Sequence, residues 1–322
     1  MQRLNNLFRE SFGDDRLGSR EFRRKLLSER VGRIRRLNRL SGPDLEHFLG
    51  GRTLVGVDGS VNSFGGPYPH YVDFLRAMAK PSAGEAIVLK ELHSPLPGED
   101  DRAPERRNDQ EIRQQKLAAL EVRAAVEAAQ RHQPPPAMIL MDGPLVRFDM
   151  RARESFTALR NVVVKKDILL TGCIENIESR VISTLLGDEA PAAWRGRYDT
   201  DLLWETLEPG EVLEVSRPAK GLAHHRPEGE EGAAPIRTWF MRASLAPGVV
   251  GLEMLEEQVA RMGRVADYLY TITPQDGRGI PVWIDLVDRE VRLTDVELEA
   301  YLQVLDPQLR RLFTSKRSAR NF

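Results

Sequence analysis

Apolar residues are grouped along the chain in short runs, two of which end in an aspartate followed by glycine. The first run occupies residues 54–57 and leads into Asp58. The second occupies residues 138–141 and leads into Asp142. Short apolar runs of this kind are typical of buried strands. The pattern therefore predicts two strands that each carry a carboxylate to the edge of a β-sheet.

The rest of the pattern alternates between strands and helices. Residues 61–70 are rich in Gly, Pro, Asn and Ser and predict a loop. A helical period without Gly or Pro extends from Asp109, a candidate N-cap, to about residue 132. Further strands are predicted over residues 71–78, 86–92, 162–164, 168–173 and 237–245, with a helix as the alternative for residues 74–79. Further helices are predicted over residues 151–160, 177–186, 252–270 and 295–312. The alternation predicts an α/β fold with a mixed central β-sheet flanked by helices.

The N-terminal segment has a different character. Residues 2–39 are dense in Arg, Leu and Glu, and apolar residues recur at helical spacing between residues 31 and 40. This predicts an N-terminal helical arm over residues 1–45, followed by one domain over residues 46–322. The basic face of the arm is either a solvated helix surface or a contact for phosphate or a partner.

Composition narrows the class of protein. The 322 residues are 41% hydrophobic and 30% charged, with a net charge of −1, so no global field indicates nucleic acid. Cys173 is the single cysteine, which excludes an internal disulfide and argues against a cysteine-based zinc site. No apolar run approaches ~18 residues, and the charged N-terminus lacks a signal-peptide core. We expect a cytoplasmic protein that does not span a membrane. A Gly/Glu/Pro tract at residues 226–235 predicts a surface loop.

Paired carboxylates are the candidate chemistry. Asp58 and Asp142 offer the oxygen ligands that a hard divalent cation prefers. The alternative is that each Asp-Gly is an ordinary turn. Glu121 is the candidate third ligand, because a carboxylate among small apolar residues is costly to bury unless it is paired or bound to a cation. The alternative for Glu121 is an exposed position on an amphipathic helix.

The ordered set of motifs resembles the NurA nucleases, which are partners of the HerA hexameric DNA translocase. Their signatures are a strand ending in Asp-Gly-Ser, a helix with an inward Glu, and a second strand ending in Asp-Gly-Ser-Leu. All three occur here in the right order, with Pro144 where Ser is usual. Residues 169–174, 199–210 and 249–255, the last with Glu253, are similar to further motifs of the family. The resemblance covers roughly residues 50–300.

The resemblance implies an RNase H-like core and a manganese-dependent (or magnesium-dependent) nuclease. Such enzymes are 5′→3′ exonucleases with single-strand endonuclease activity that act in DNA end resection. The family forms homodimers that dock on a HerA-type hexameric ATPase. Carried over by position, Asp58, Glu121 and Asp142 would be the metal ligands. The mechanism we expect is two-metal phosphodiester hydrolysis, in which Asp58 bridges the ions. Arg147 and nearby basic residues are phosphate contacts or solvated surface.

One departure from the family affects the site. Asp288 stands where the family usually has His, and Gly251 stands where it often has Arg. A carboxylate suits manganese or magnesium at least as well as imidazole, so Asp288 is the predicted fourth catalytic and metal-binding residue. The alternative for Asp288 is an ion pair with Arg289 or Arg292. At the level of function, the alternatives are an inactive RNase H-like adaptor that binds a translocase or DNA, and a ribonuclease.

Overall fold

The computed structural model describes residues 1–6, 17–96, 106–217 and 236–313. The tract at residues 226–235, predicted as a surface loop, lies outside the described residues. Within the described ranges, no helix combines the length and the apolar character needed to cross a membrane.

The strands found among the described residues are β1 (Gly32–Arg36), β2 (Leu54–Gly65), β3 (Tyr71–Pro81), β4 (Ile87–His93), β5 (Met138–Asp142), β6 (Leu169–Ile174), β7 (Glu211–Val215), β8 (Ile236–Arg242) and β9 (Val250–Leu255). These nine strands form one sheet in the order β1-β7-β8-β9-β6-β5-β2-β3-β4.

Helices precede, connect and follow the strands. They are α1 (Arg20–Arg30), α2 (Gly42–Leu49), α3 (Arg106–Arg131), α4 (Leu145–Arg151), α5 (Arg153–Lys165), α6 (Val181–Leu186), α7 (Asp199–Leu203), α8 (Met262–Thr271), α9 (Val282–Val291), α10 (Asp295–Val304) and α11 (Pro307–Phe313). The predicted α/β class, with a central sheet and flanking helices, is confirmed.

The chain divides into two compact units. The first unit comprises Met1–Gly51, Leu140–Val146 and Leu169–Trp283. The second unit comprises Arg52–Ile139, Arg147–Ile168 and Ile284–Phe322. The division at residue 45 into an arm and a nuclease domain stays a prediction.

In the second unit, β2, β3 and β4 form an antiparallel meander covered on both faces. Helix α3 packs on all three strands and against α5. On the face of the sheet opposite α3, Val72 and Phe74 of β3 form a core with Leu293, Leu302 and Phe313. Successive side chains of a strand point to opposite faces, so β2 presents one set of residues to α3 and the other to the C-terminal helices.

In the first unit, the predicted arm is only partly helical. Helix α1 is present, with Ser19 as its N-cap. The helical period predicted between residues 31 and 40 is wrong, because Gly32–Arg36 is a strand that pairs antiparallel with β7. Tertiary pairing overrides the local period here, and Gly32 permits it: a Cβ at this position would lie 2.0 Å from the backbone oxygen of Glu214.

The basic face of the N-terminal segment is largely committed to contacts inside the chain. Arg23 is 6% exposed and donates to the Thr206 hydroxyl at 2.9 Å. Arg24 and Arg35 form ion pairs with Glu211 and Glu214. These three guanidinium groups therefore stabilise the fold. This role differs from both predictions for the basic face, which were a solvated surface and a contact for phosphate or a partner.

Other boundaries also differ from the prediction. The loop predicted over residues 61–70 is shorter, because β2 continues to Gly65. The helix predicted over residues 252–270 is wrong in its first half, which is strand β9 and a 3₁₀ turn before α8. The closing helix is two helices, because Pro307 begins α11 after a break. Residues 162–164 lie in helix α5, and helix α3 begins before Asp109, which is therefore not its N-cap.

Asp199 of the first unit is a buried structural carboxylate. It is fully buried and accepts hydrogen bonds from the Ser179 hydroxyl at 2.6 Å and from the Val181 and Ile182 amides at 2.8 Å each. We expect Asp199→Ala to lower the free energy of unfolding by about 2–4 kcal/mol, because buried amides lose their acceptor. Urea unfolding measures this, with exposed Asp188→Ala as the control at under ~0.5 kcal/mol. Equal losses in the two variants would contradict the structural role.

Candidate functional site

Asp58 lies inside strand β2 and not at a turn. It pairs with Met78 of β3, and the strand continues beyond it, so the turn interpretation of this Asp-Gly is wrong. The Asp58 side chain is 6% exposed, and its Oδ1 accepts from the Gly59 amide at 2.7 Å. By alternation, Asp58 shares a face of β2 with Ser60, whose hydroxyl donates to the Val291 carbonyl at the end of α9 at 2.9 Å.

Gly59 explains how Glu121 reaches the strand. A Cβ on Gly59 would lie 2.5 Å from Glu121 Oε1 and 2.9 Å from Leu117 Cδ1. Only glycine therefore lets the Glu121 carboxylate of α3 lie directly against the β2 backbone. Glu121 is 2% exposed, so the alternative of an exposed position is wrong. The structure thus places Glu121 against the residue that follows Asp58 in β2.

Arg147 of α4 balances the charge of the buried Glu121. Its Nη2 donates to Glu121 Oε2 at 2.7 Å, and its guanidinium lies 4.4 Å from the ring centre of Phe148. A buried carboxylate requires a hydrogen-bonded or charged partner, and Arg147 supplies one. The guanidinium predicted as a phosphate contact or solvated surface thus lies within the candidate site.

Asp142 is the last residue of β5, in the first unit, and is half-buried. The chain leaves the strand at Gly143, which has a φ of 100° and donates its amide to the Cys173 carbonyl at 2.7 Å. Gly172 of β6 makes room for this departure, since a Cβ there would lie 2.7 Å from the Gly143 oxygen. The second Asp-Gly therefore combines a strand end with a left-handed glycine.

Glu253 is a buried acid that the sequence analysis did not single out as a site residue. It lies on β9, is 2% exposed, and accepts from the Val146 amide at 3.2 Å and the Thr238 hydroxyl at 3.3 Å. Burial raises the pKa of Glu253 to about 7. The sequence does carry a signal for this residue, which is a lone Glu within an apolar strand. A carboxylate buried in such a strand requires hydrogen-bond donors or a pKa shift that keeps it neutral. Glu253 thus anchors the first turn of α4, directly after the Asp142 segment.

The raised pKa of Glu253 predicts a pH-dependent stability. Because the folded pKa exceeds the unfolded value, the folded state retains a proton between about pH 4.5 and 7 that the unfolded state releases. Wild-type stability should therefore fall across this window and level off above it, by an amount on the order of 3 kcal/mol. Urea unfolding from pH 4 to 8 measures this, with Glu253→Gln expected to remove most of the slope. An identical slope in Glu253→Gln would contradict the assignment.

Asp288 lies on α9 in an ion pair. Both of its carboxylate oxygens accept from Arg292 Nη2 at 2.8 Å, which confirms the ion-pair alternative for this residue. Its side chain is 31% exposed. Its predicted role as fourth ligand stays a prediction. Among the residues that the structure describes, no set of three or more His, Cys, Asp or Glu side chains is arranged to hold a metal ion.

The donor chemistry around Asp58 nevertheless fits a hard divalent cation. Asp58 of β2 is a buried carboxylate, the buried Glu121 of α3 lies against the next residue of that strand, and oxygen ligands are what Mn²⁺ and Mg²⁺ prefer. The guanidinium of Arg147 is ion-paired with one oxygen of the Glu121 carboxylate. The assignment of Asp58, Glu121 and Asp142 as metal ligands stays a prediction.

Comparison with known proteins identifies the family. The sequence model of the NurA domain matches residues 52–293, most of the chain. The chain therefore belongs to the NurA domain family, and the resemblance seen in the sequence is confirmed. A comparison with curated proteins finds no matching sequence.

Solved structures share the fold. The NurA nuclease from Sulfolobus solfataricus is 14% identical, with 96% of this chain and 97% of that chain covered, at a TM-score of 0.53. A second NurA structure is 10% identical, with 96% and 98% covered, at a TM-score of 0.57. A third, bound to dAMP and manganese, is 13% identical, with 98% and 99% covered, at a TM-score of 0.48. At these identities the likeness to the first two structures shows a common fold.

Proposed function

We propose that this protein is a metal-dependent DNA nuclease with 5′→3′ exonuclease and single-strand endonuclease activity. The observation that carries the proposal is the burial of Glu121 against Gly59, the residue that follows the buried Asp58 on β2. Each buried carboxylate is costly for folding, and that cost is understandable where the two serve to bind cations. Membership of the NurA domain family supports the same function.

The proposed ligands are Asp58 and Glu121, with Asp142 as the third by family position and Asp288 as the fourth. Two Mn²⁺ or Mg²⁺ ions, when bound, supply Lewis acidity toward the phosphodiester and acidify water. The protein contributes a dry, fixed environment, because both carboxylates are buried and Gly59 sets the position of Glu121. Arg147 orients Glu121 through its ion pair and offers positive charge close to where an anionic substrate would bind.

The partners belong to the same proposal and rest on the family. We propose that a homodimer acts with a HerA-type hexameric ATPase on DNA ends, in end resection and repair in the cytoplasm. The competing function is an adaptor that binds a translocase or DNA without cleavage. The adaptor is the competing function because Asp288 stands where the family usually has His, and it is ion-paired with Arg292.

Digestion of end-labelled DNA tests the proposal. Single- and double-stranded DNA labelled at either the 5′ or the 3′ end is incubated with Mn²⁺, Mg²⁺ or EDTA, with and without a HerA-type ATPase. We expect metal-dependent cleavage that proceeds from the 5′ end and is blocked by EDTA. An absence of cleavage under every condition, even with the ATPase, would reject the nuclease and favour the adaptor.

A further inference from the structure

A cavity of about 370 Å³ lies in the second unit where β2 turns into β3. Its walls come from the hairpin and from the first turns of α3, including Ser63, Tyr68, Tyr71, Asp109 and Arg113. Gly65, Gly66 and Pro67 at the tip of the hairpin also line it. The proposed metal ligands do not line this cavity, so it requires a separate explanation.

Asp109 forms a buried polar network at one wall of the cavity. The Tyr71 hydroxyl donates to its Oδ2, and His93 Nε2 lies 2.7 Å from its Oδ1. Asp109 is 2% exposed and His93 is 7% exposed. Burial and the neighbouring Asp109 raise the pKa of Tyr71, so its hydroxyl stays protonated and remains a donor. Each carboxylate oxygen has two lone pairs, so Asp109 can accept a further donor from a ligand.

A second carboxylate lies next to this network. Asp73 is fully buried, accepts from the Ser63 hydroxyl, and pairs with Arg113 Nη1 at 3.5 Å. Among the described side chains of this wall, the carboxylates of Asp73 and Asp109 outnumber the guanidinium of Arg113, which disfavours an anion. A neutral ligand that carries hydrogen-bond donors fits it better than a phosphate does.

The cavity and two of the proposed metal ligands, Asp58 and Glu121, lie on the same two elements, β2 and α3. Ser63 is five residues beyond Asp58 on β2, or roughly 17 Å at the rise of a strand. Asp109 is twelve residues before Glu121 on α3, or roughly 18 Å at the rise of a helix. The two estimates agree. They correspond to about five steps of a nucleotide strand at B-form spacing, and to fewer in an extended strand.

We propose that this cavity is a subsite for one unpaired base of single-stranded DNA, held several nucleotides from the bond that is cut. Tyr68 is the stacking surface, since aromatic side chains stack with any base. The Asp109 carboxylate accepts from an exocyclic amino group, which cytosine and adenine carry and thymine lacks. The inference rests on the proposed function and assigns the substrate class of the same active site.

Fluorescence of 2-aminopurine tests the subsite without catalysis. Single-stranded oligonucleotides that carry 2-aminopurine at one of the first eight positions from the 5′ end are titrated with protein in EDTA. We expect the fluorescence change at one position to stand out. Tyr68→Ala should lose that change and weaken binding by about 5- to 150-fold, while Tyr68→Phe should retain both. Tyr198→Ala, which truncates a 42%-exposed tyrosine of the first unit, is the matched control and should bind as wild type does.

Several outcomes would overturn the subsite. These are a wild-type scan in which no position stands out, wild-type binding by Tyr68→Ala, or an equal loss in Tyr198→Ala. The scan on wild type decides the question even if Tyr68→Ala does not fold. Because the titration contains EDTA, it is independent of the nuclease. Positional binding without metal-dependent cleavage would count against the proposed function alone, and cleavage without positional binding would count against the subsite alone.

Discussion

Asp58→Ala is expected to lose manganese-dependent DNA cleavage by at least about 10³-fold while keeping its fold. Asp58 is a 6%-exposed carboxylate within β2, and the buried Glu121 lies against the residue that follows it. Its removal would take away a proposed metal ligand, and metal ions, when bound, would supply several kcal/mol of transition-state stabilisation. Initial rates on 5′-labelled single-stranded DNA measure the loss, and circular dichroism verifies the fold.

The matched control for this prediction is Asp276→Ala, which removes an exposed aspartate. It should cleave at the wild-type rate. Asp288→Ala in the same assay separates two roles: a large loss would make Asp288 a ligand, and a small loss would leave it as the ion-pair partner of Arg292. Wild-type cleavage by Asp58→Ala would contradict the assignment of the site.

Gly59→Ala is expected to reduce cleavage by about 10²-fold, although it adds one methyl group. The new Cβ would lie 2.5 Å from Glu121 Oε1 and 2.9 Å from Leu117 Cδ1, so the Glu121 carboxylate must move away from the β2 backbone. A displacement of about 1 Å in a reacting or binding group can cost this much rate. Initial cleavage rates at saturating Mn²⁺ measure the effect.

Gly248→Ala is the control, because a Cβ at Gly248 has no neighbour within 4 Å. A double-mutant cycle makes the test specific. If Gly59→Ala acts through Glu121, it should cost little further activity in a Glu121→Gln background. Additive losses would show that the methyl group acts through some other contact.

Local signals in the sequence were sufficient for the main elements around the site. Apolar runs located β2 and β5, and the uninterrupted helical period located α3. Glu121 is surrounded in the sequence by small apolar residues, and this pattern correctly indicated a buried carboxylate. Its partner Arg147 could not be predicted, because it comes from a separate helix, and only the folded chain brings it within 2.7 Å.

The failures share one physical cause, which is that tertiary pairing decided between two locally acceptable conformations. Residues 32–36 satisfy a helical period but pair with β7, because Gly32 lets the two backbones approach. Asp58-Gly59 satisfies turn chemistry but lies inside a strand, because β3 pairs with it through to Gly65. The glycine that resembled a turn signal is instead the space that Glu121 occupies.

Cleavage as a function of Mn²⁺ concentration is the most direct test of the central claim, that Asp58 and Glu121 form a metal-dependent nuclease site. Single-turnover rates on 5′-labelled single-stranded DNA would be compared for wild type and Glu121→Gln, beginning from EDTA-treated protein. We predict a saturable dependence for wild type, and a Glu121→Gln curve shifted to at least about tenfold higher Mn²⁺. Superimposable curves for the two proteins, or cleavage that persists in EDTA, would contradict the claim.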